Sequence, residues 1–155
     1  MTESSARPLP DAETLSRLVS KVTGTMCGIT FEPSNDHHPS PDLCWRVATL
    51  PIKGKRPLRV AMCSTEKAAK ALGAALFQCT ATDLDETMID DALRELLNMA
   101  AGQISVAMKL EQALGLPEIV KGKDIPDRVL RAIAEGVVLR SAGDLGLLIW
   151  VAEDK

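Results

Sequence analysis

The stretch DALRELLNMAAGQISVAMK, running from Asp91 to Lys109, decides how this chain folds. At about 100° per residue, Ile89, Ala92, Leu93, Leu96, Ala100, Ile104 and Ala107 fall on one side of a helix, with Leu114 continuing that core face. Asp91, Glu95, Asn98, Gly102, Ser105 and Lys109 lie on the other side, within roughly ±40° of one line. The pattern predicts an amphipathic helix with a polar stripe facing water. In that stripe the carboxylate of Glu95 and the carboxamide of Asn98 sit side by side at i and i+3. Gly102 and Ser105 keep the neighbouring surface low. The acidic run TDLDETMIDD opens the helix at the positive end of its dipole, and Gly115 followed by Pro117 reads as its stop, which gives a span of Glu86 to Leu114.

On the N-terminal side, AETLSRLVSKVTGTMCGI places Leu15, Leu18, Val19, Val22 and Met26 at helical spacing, ending near Gly28. The segment EPSNDHHPSPD is rich in Pro, Ser, Asn and Asp and reads as a loop. Strands follow at Cys44 to Leu50 and Leu58 to Cys63, joined through the charged turn at Lys53 to Pro57. Ser64 is the expected N-cap of a helix over Thr65 to Phe77. Beyond the long helix, an extended segment at Glu118 to Val120 leads through the turn GKDIPD. A closing pair of strands is expected at Val129 to Leu139 and Leu145 to Ala152, although AIAEG in the first has competing helix propensity. Helices and strands that come in runs, with hairpins between consecutive strands, predict an α+β fold: an antiparallel β-sheet with long α-helices packed on it. Residues 1–12 are expected to form a flexible N-terminal tail and residues 13–155 a single domain.

Composition narrows the function classes. The chain has 155 residues, 46% apolar and 25% charged, which is ordinary for a globular domain and excludes disordered and collagen-like readings. A net charge of −3, no Tyr, and only Phe31, Phe77, Trp45 and Trp150 as rings leave neither a basic groove nor a base-stacking platform, which argues against nucleic acid. No apolar run approaches the roughly 18 residues of a membrane span, and the polar start is unlike a signal peptide, so a cytoplasmic protein without membrane contact is expected. Cys27, Cys44, Cys63 and Cys79 are scattered, with no C-x-x-C, and read as small apolar residues of a reduced protein. His37 and His38 are adjacent in a proline-rich loop and lack a second ligand pair, so no metal site is expected.

Glu95-Leu96-Leu97-Asn98, followed by Met99-Ala100-Ala101-Gly102, resembles the E-x-x-N signature of the CheC/CheX/FliY chemotaxis phosphatases. The wider block DALRELLNMAAGQ extends the match, and so do GTMCGITFEP, VAMCSTEKAAKALG and GLPEIVKGKD around it. The similarity runs over about residues 13 to 152 and is strongest to the CheX pattern. Two-site members of the family carry E-x-x-N on two pseudo-repeated helices. Here the first helix reads LSRLVSKVTGTM, so one site per chain is expected.

The resemblance implies a phosphatase that hydrolyses the phospho-aspartate of a CheY-like receiver domain. It implies that Asn98 holds the attacking water in line with phosphorus and that Glu95 pairs with the receiver's lysine. Asp91, Met99, Gly102 and Ser105 would be docking contacts. Mg²⁺ would belong to the receiver, with no cofactor on this chain, and the protein would be a homodimer. The residue types suit the chemistry. A loose phosphoryl-transfer transition state rewards positioning over a strong base, and a carboxamide orients water without bringing negative charge to the phosphoryl group. Two other readings remain open at this point: a non-catalytic adaptor that docks a receiver or flagellar-switch component, and a structural dimer whose stripe is ordinary solvated surface.

Overall fold

Alternating apolar residues build a sheet that is covered on both faces. The computed structural model describes residues 8–34, 41–110 and 113–153. Among them, β1 (Glu32–Pro33), β2 (Arg46–Lys53), β3 (Leu58–Ser64), β4 (Ala113–Leu114), β5 (Glu118–Lys121), β6 (Val137–Arg140) and β7 (Gly146–Glu153) form one antiparallel sheet. The order is β1-β6-β7-β3-β2, and the outer edge of β2 is shared: its first half pairs with β5 and its last two residues with β4. Ala48, Leu50 and Ile52 of β2 point to one face, where they meet Leu147 and Ile149 of β7 in the main core. Three helices close that face: α1 (Ala12–Cys27), α2 (Glu66–Phe77) and α3 (Glu86–Ala107). Val47, Ala61, Cys63 and Leu148 point the other way and pack with Leu43, Ile125, Ile133 and Val138 in a second apolar cluster. A 3-10 turn at Pro41–Cys44 and the short helix α4 (Asp127–Ile133) contribute to that cluster.

Each long helix starts on a side-chain cap. The carboxylate of Asp11 accepts from the Thr14 amide at 2.8 Å, the hydroxyl of Thr65 from the Ala68 amide at 3.0 Å, and the carboxylate of Asp85 from the Met88 amide at 2.8 Å. α1 ends at Gly28, whose φ of 71° is the left-handed conformation that glycine adopts without cost.

The structure corrects several sequence expectations. α3 ends at Ala107 rather than Leu114, because the chain makes a Schellman turn. Lys109 adopts φ 55°, its amide donates to the Val106 carbonyl at 3.0 Å, and the Leu110 amide donates to the Ser105 carbonyl at 2.9 Å. Leu110 then packs on the core. Gly115 and Pro117 therefore belong to the link between β4 and β5. Ala107 is exposed, and Leu114 reaches the sheet as part of β4. The strand expected at Val129 to Leu139 is α4 followed by the shorter β6, so the helix propensity of that segment prevails over strand patterning. Ser64 closes β3 and Thr65 is the cap of α2. Glu32 and Pro33, read as loop, pair with β6. β2 starts at Arg46 because Pro41–Cys44 is wound as a 3-10 turn. Asp11 and Ala12, expected in the tail, are the cap and the first residue of α1, and Met26 at the end of α1 is exposed. His37 and His38 lie outside the described residues. All four cysteines are free, with Cys63 buried and the other three half-buried.

One glycine fixes a tertiary contact. Gly122 opens a 3-10 turn after β5 and packs on the backbone of Cys44, where an added Cβ would collide with the Cys44 carbonyl oxygen. Gly122→Ala is therefore expected to destabilise the protein by about 1–3 kcal/mol, because backbone has to move to admit the methyl group. Chemical denaturation of the two proteins checks this, and an unchanged midpoint would contradict the contact.

Candidate functional site

The helix that carries the polar stripe is held at its first turns by a cation from the sheet. Arg46 of β2 is only 4% exposed. Its guanidinium donates to Glu86 at 2.5 Å and to Asp90 at 3.1 Å, one turn apart on α3. The guanidinium also lies 4.0 Å from the centroid of the Trp45 ring. Further along, Ile89, Leu93, Leu96, Leu97, Ala100 and Ile104 are buried against the sheet and its neighbouring helices. This apolar face sets the rotation of α3 and therefore what the opposite face presents.

That opposite face carries Asp91, Glu95 and Asn98, all exposed, with Met99 and Gly102 half-buried beside them. Asp91 is held by Arg94 of the same helix at 2.7 Å. Glu95 and Asn98 make no hydrogen bond or ion pair with any described residue, so both polar groups are directed at solvent. At i and i+3 their Cβ atoms are about 5–6 Å apart, close enough to act on one bound group. A Cβ added at Gly102 would meet nothing within 4 Å, so this glycine leaves open space beside Asn98 rather than serving packing.

Ser105 departs from the expected stripe. It is 8% exposed and lies on the edge of the core, so it is not available as a docking contact. Successive residues on α3 advance by about 100°, which leaves Ser105 on the flank toward the core and turns Val106 outward. Val106 is 75% exposed and extends the open face past Gly102, a residue that apolar–polar patterning had passed over. Lys109 lies beyond the end of the helix. Arg46, Glu86 and Asp90 were also not singled out from the sequence, since their pairing joins residues forty or more positions apart.

A second feature lies near the start of α3. A groove of about 740 Å³ is lined by Cys44, Trp45, Arg46, Glu86, Lys121 and Ile133, among others, and none of the stripe residues borders it. Cys44 packs against the apolar cluster that holds Cys63, and that neighbouring thiol lowers the Cys44 pKa to about 7. Its Cys44 neighbour, together with burial, holds the Cys63 thiol well above the usual range. Among the described residues, no cluster of three His, Cys, Asp or Glu side chains could hold a metal ion. No described helix is long and apolar enough to cross a membrane.

The fold and the exposed polar helix define an α+β domain with one polar helix face open to solvent. Residues 46–137 match the family described as Chemotaxis phosphatase CheX, and the chain belongs to that family. Solved structures agree on the fold. The chain is similar to CheX of the CheX–CheY–BeF3–Mg²⁺ complex from Borrelia burgdorferi, at 13% identity and a TM-score of 0.69, over 96% of this chain and 100% of that one. It is also similar to CheX from Vibrio vulnificus, at 15% identity and a TM-score of 0.67, over 90% and 96% of the two chains. CheX from Desulfovibrio desulfuricans aligns at 17% identity and a TM-score of 0.65, over 90% and 96%. No curated protein matches the sequence.

Removing the sheet cation leaves two carboxylates on α3 without their partner. Arg46→Ala is expected to cost about 3 kcal/mol, which equilibrium denaturation measures. Gly102→Ala is expected to do the opposite, raising stability by about 0.5–1 kcal/mol, because alanine favours the helix and the space beside it is open. A destabilised Gly102→Ala would mean that the glycine serves packing.

Proposed function

We propose that this protein dephosphorylates the phospho-aspartate of a CheY-like receiver domain, with Asn98 positioning the attacking water and Glu95 pairing with the receiver's lysine. The observation that carries the reading is the pair itself. One carboxylate and one carboxamide, with no hydrogen bond or ion pair to any other described residue, stand side by side on an exposed helix in a chain of the CheX phosphatase family. The Borrelia relative, a CheX bound to CheY with BeF3 and Mg²⁺, supports the choice of a receiver as partner.

In the reaction, a water oxygen attacks phosphorus and the bond from phosphorus to the aspartyl oxygen breaks. Inorganic phosphate leaves, and the receiver regains its carboxylate. The amide of Asn98 orients the water through its carbonyl oxygen or its NH₂ group and adds no charge opposite the anionic phosphoryl group. Glu95, one turn away, is placed to meet a cation instead. Its charge would dock the receiver's lysine rather than repel the phosphate. Mg²⁺ on this reading is the receiver's. Asp91 and Met99 flank the pair as docking contacts, and Gly102 lets the receiver's backbone come close. The reading also includes a cytoplasmic homodimer joined through sheet edges, which would leave α3 on the sheet face open in both copies.

The experiment mixes the purified protein with phosphorylated receivers and follows phosphate release. Asn98→Ala is expected to lower the catalysed rate by roughly 10²-fold while the receiver still binds, because the water loses its position. Glu95→Ala is expected to weaken binding by about 10- to 100-fold, the loss of one charge-assisted hydrogen bond. Gly102→Val keeps both polar groups but fills the open space, and is expected to reduce binding with little change in fold. Hydrolysis unaffected by Asn98→Ala would sink the water-positioning role. Binding without acceleration would make the protein an adaptor.

A further inference from the structure

The open face of α3 changes character along its length. Its first turns carry Glu86, Asp90, Asp91, Arg94 and Glu95, whereas the stretch from Leu96 to Met108 contains no charged residue. Most of that stretch turns inward and completes the core. Val106 and Ala107 are exposed, however, and Gly102 is half-buried beside open space. The outer face of an amphipathic helix ordinarily carries charged and polar side chains, so an uncharged outer face over the last turns calls for another explanation.

Val106 is 75% exposed and belongs to neither apolar cluster. Valine is a weaker helix former than alanine, because its branched side chain loses rotamer freedom against the preceding turn. Gly102, one turn earlier, weakens the helix as well. Two successive positions on the open side thus hold residues that the stability of the helix does not favour. Helix geometry places Val106 about 16 Å beyond Glu95, rotated from it by only about 20°, and about 12 Å beyond Asn98. An interface of ordinary size covers about 800 Å² on each side, so a macromolecule seated on the polar pair lies over Val106 too. A second copy of this chain seated there would close off Glu95 and Asn98, which the proposed function needs open. The receiver is the occupant that uses both ends of the face.

We propose that Val106 is a specificity-determining residue for the receiver, seating an apolar side chain that the receiver carries about 10–15 Å from its phosphorylated aspartate. The inference rests on the proposed function, because it takes Asn98 to stand at the phosphoryl group. On that reading the polar pair meets a phospho-aspartate and its lysine, which do not separate one receiver from another. Val106 meets a surface position outside that chemistry. A receiver with an apolar residue there removes apolar surface from water on both sides as it docks. One with a carboxylate or an ammonium there has to strip it of water, and no charged residue between Leu96 and Met108 answers it. Val106 touches neither the water nor the phosphorus, so it acts on how tightly the receiver docks and not on the chemical step.

The test uses the full chain and, among CheY-like receivers, the one that the wild type dephosphorylates fastest. Val106→Asp is expected to raise KM about 10-fold or more and to leave kcat within about 2-fold, while Val106→Ile stays close to wild type. Both variants are expected to keep a denaturation midpoint close to that of the wild type, since the side chain stands clear of the core. Leu130→Asp, at an exposed apolar position of α4 on the other face of the sheet, is expected to leave KM unchanged. An unchanged KM in Val106→Asp, with turnover still lost in Asn98→Ala, would overturn the proposal and leave the phosphatase reading standing. So would a fall in kcat at unchanged KM. A changed oligomeric state of Val106→Asp at unchanged KM would assign the face to a second copy instead. A wild type that accelerates no receiver would remove the phosphatase reading and this inference with it.

Discussion

The ion pairs from Arg46 to Glu86 and Asp90 are the constraint on which the rest of the arrangement rests. A buried guanidinium on β2 is costly unless its donors are met, and here two carboxylates one helical turn apart meet them while the Trp45 ring covers its face. The requirement runs in both directions. The sheet cation needs the start of α3 close by, and the acidic start of α3 is what the helix dipole favours in any case. Once that end is fixed, the apolar residues from Ile89 to Ile104 leave a single rotation of the helix that buries them all. Glu95 and Asn98 face outward as a consequence, with no hydrogen bond or ion pair to any other described residue.

This division of labour explains why the exposed pair can stand without bonds to the other described residues. The clamp and the core supply the rigidity, so the two polar groups need not be tied down to fix the helix. Gly102 shows the opposite balance. A glycine inside a helix weakens it, and the open space around this one gives no structural return within the chain. A flat surface beside Asn98 is the one property the glycine confers.

How far the sequence carried the reading can be argued from particular residues. The end of α1 near Gly28, the hairpin of β2 and β3, and the rotation of α3 were legible because each depends on side chains within a few positions of one another. The end of α3 was not. Its Schellman turn places Lys109, not glycine, in the left-handed conformation, and the deciding contacts are two backbone amides and the seat of Leu110 on the core. α4 and β6 were merged into one strand for a related reason, since a helix of seven residues is specified mainly by the cluster around Ile133 that it covers. At the site, Glu95 and Asn98 came from a pattern with a family resemblance behind it. Ser105 was placed on the open stripe and Val106 was passed over because a tolerance of ±40° about one line takes no account of where neighbouring elements bury one flank of the helix. Arg46 and the two carboxylates it meets are brought together by tertiary structure and left no local signal.

α1 packs beside α3 on the same face of the sheet, and the contrast between the two helices lies in what each turns outward. On its core side, the polar residues of α1 are engaged with its own neighbourhood. Ser16 and Ser20 both donate to the Phe31 carbonyl, at 3.1 and 2.6 Å, and Ser20 accepts from the Phe31 amide at 2.7 Å. Thr23 donates to the Ile29 carbonyl at 2.6 Å. These bonds fix the segment that leads from α1 into β1 and satisfy backbone groups that would otherwise be buried without partners. The opposite side of α1 is open to solvent and carries Glu13, Arg17, Lys21 and Thr25, while Leu15, Leu18, Val19 and Val22 complete the core. Rotation therefore does not exclude a second pair on α1; the residue types at its open positions do, since cations stand there in place of a carboxamide beside a carboxylate.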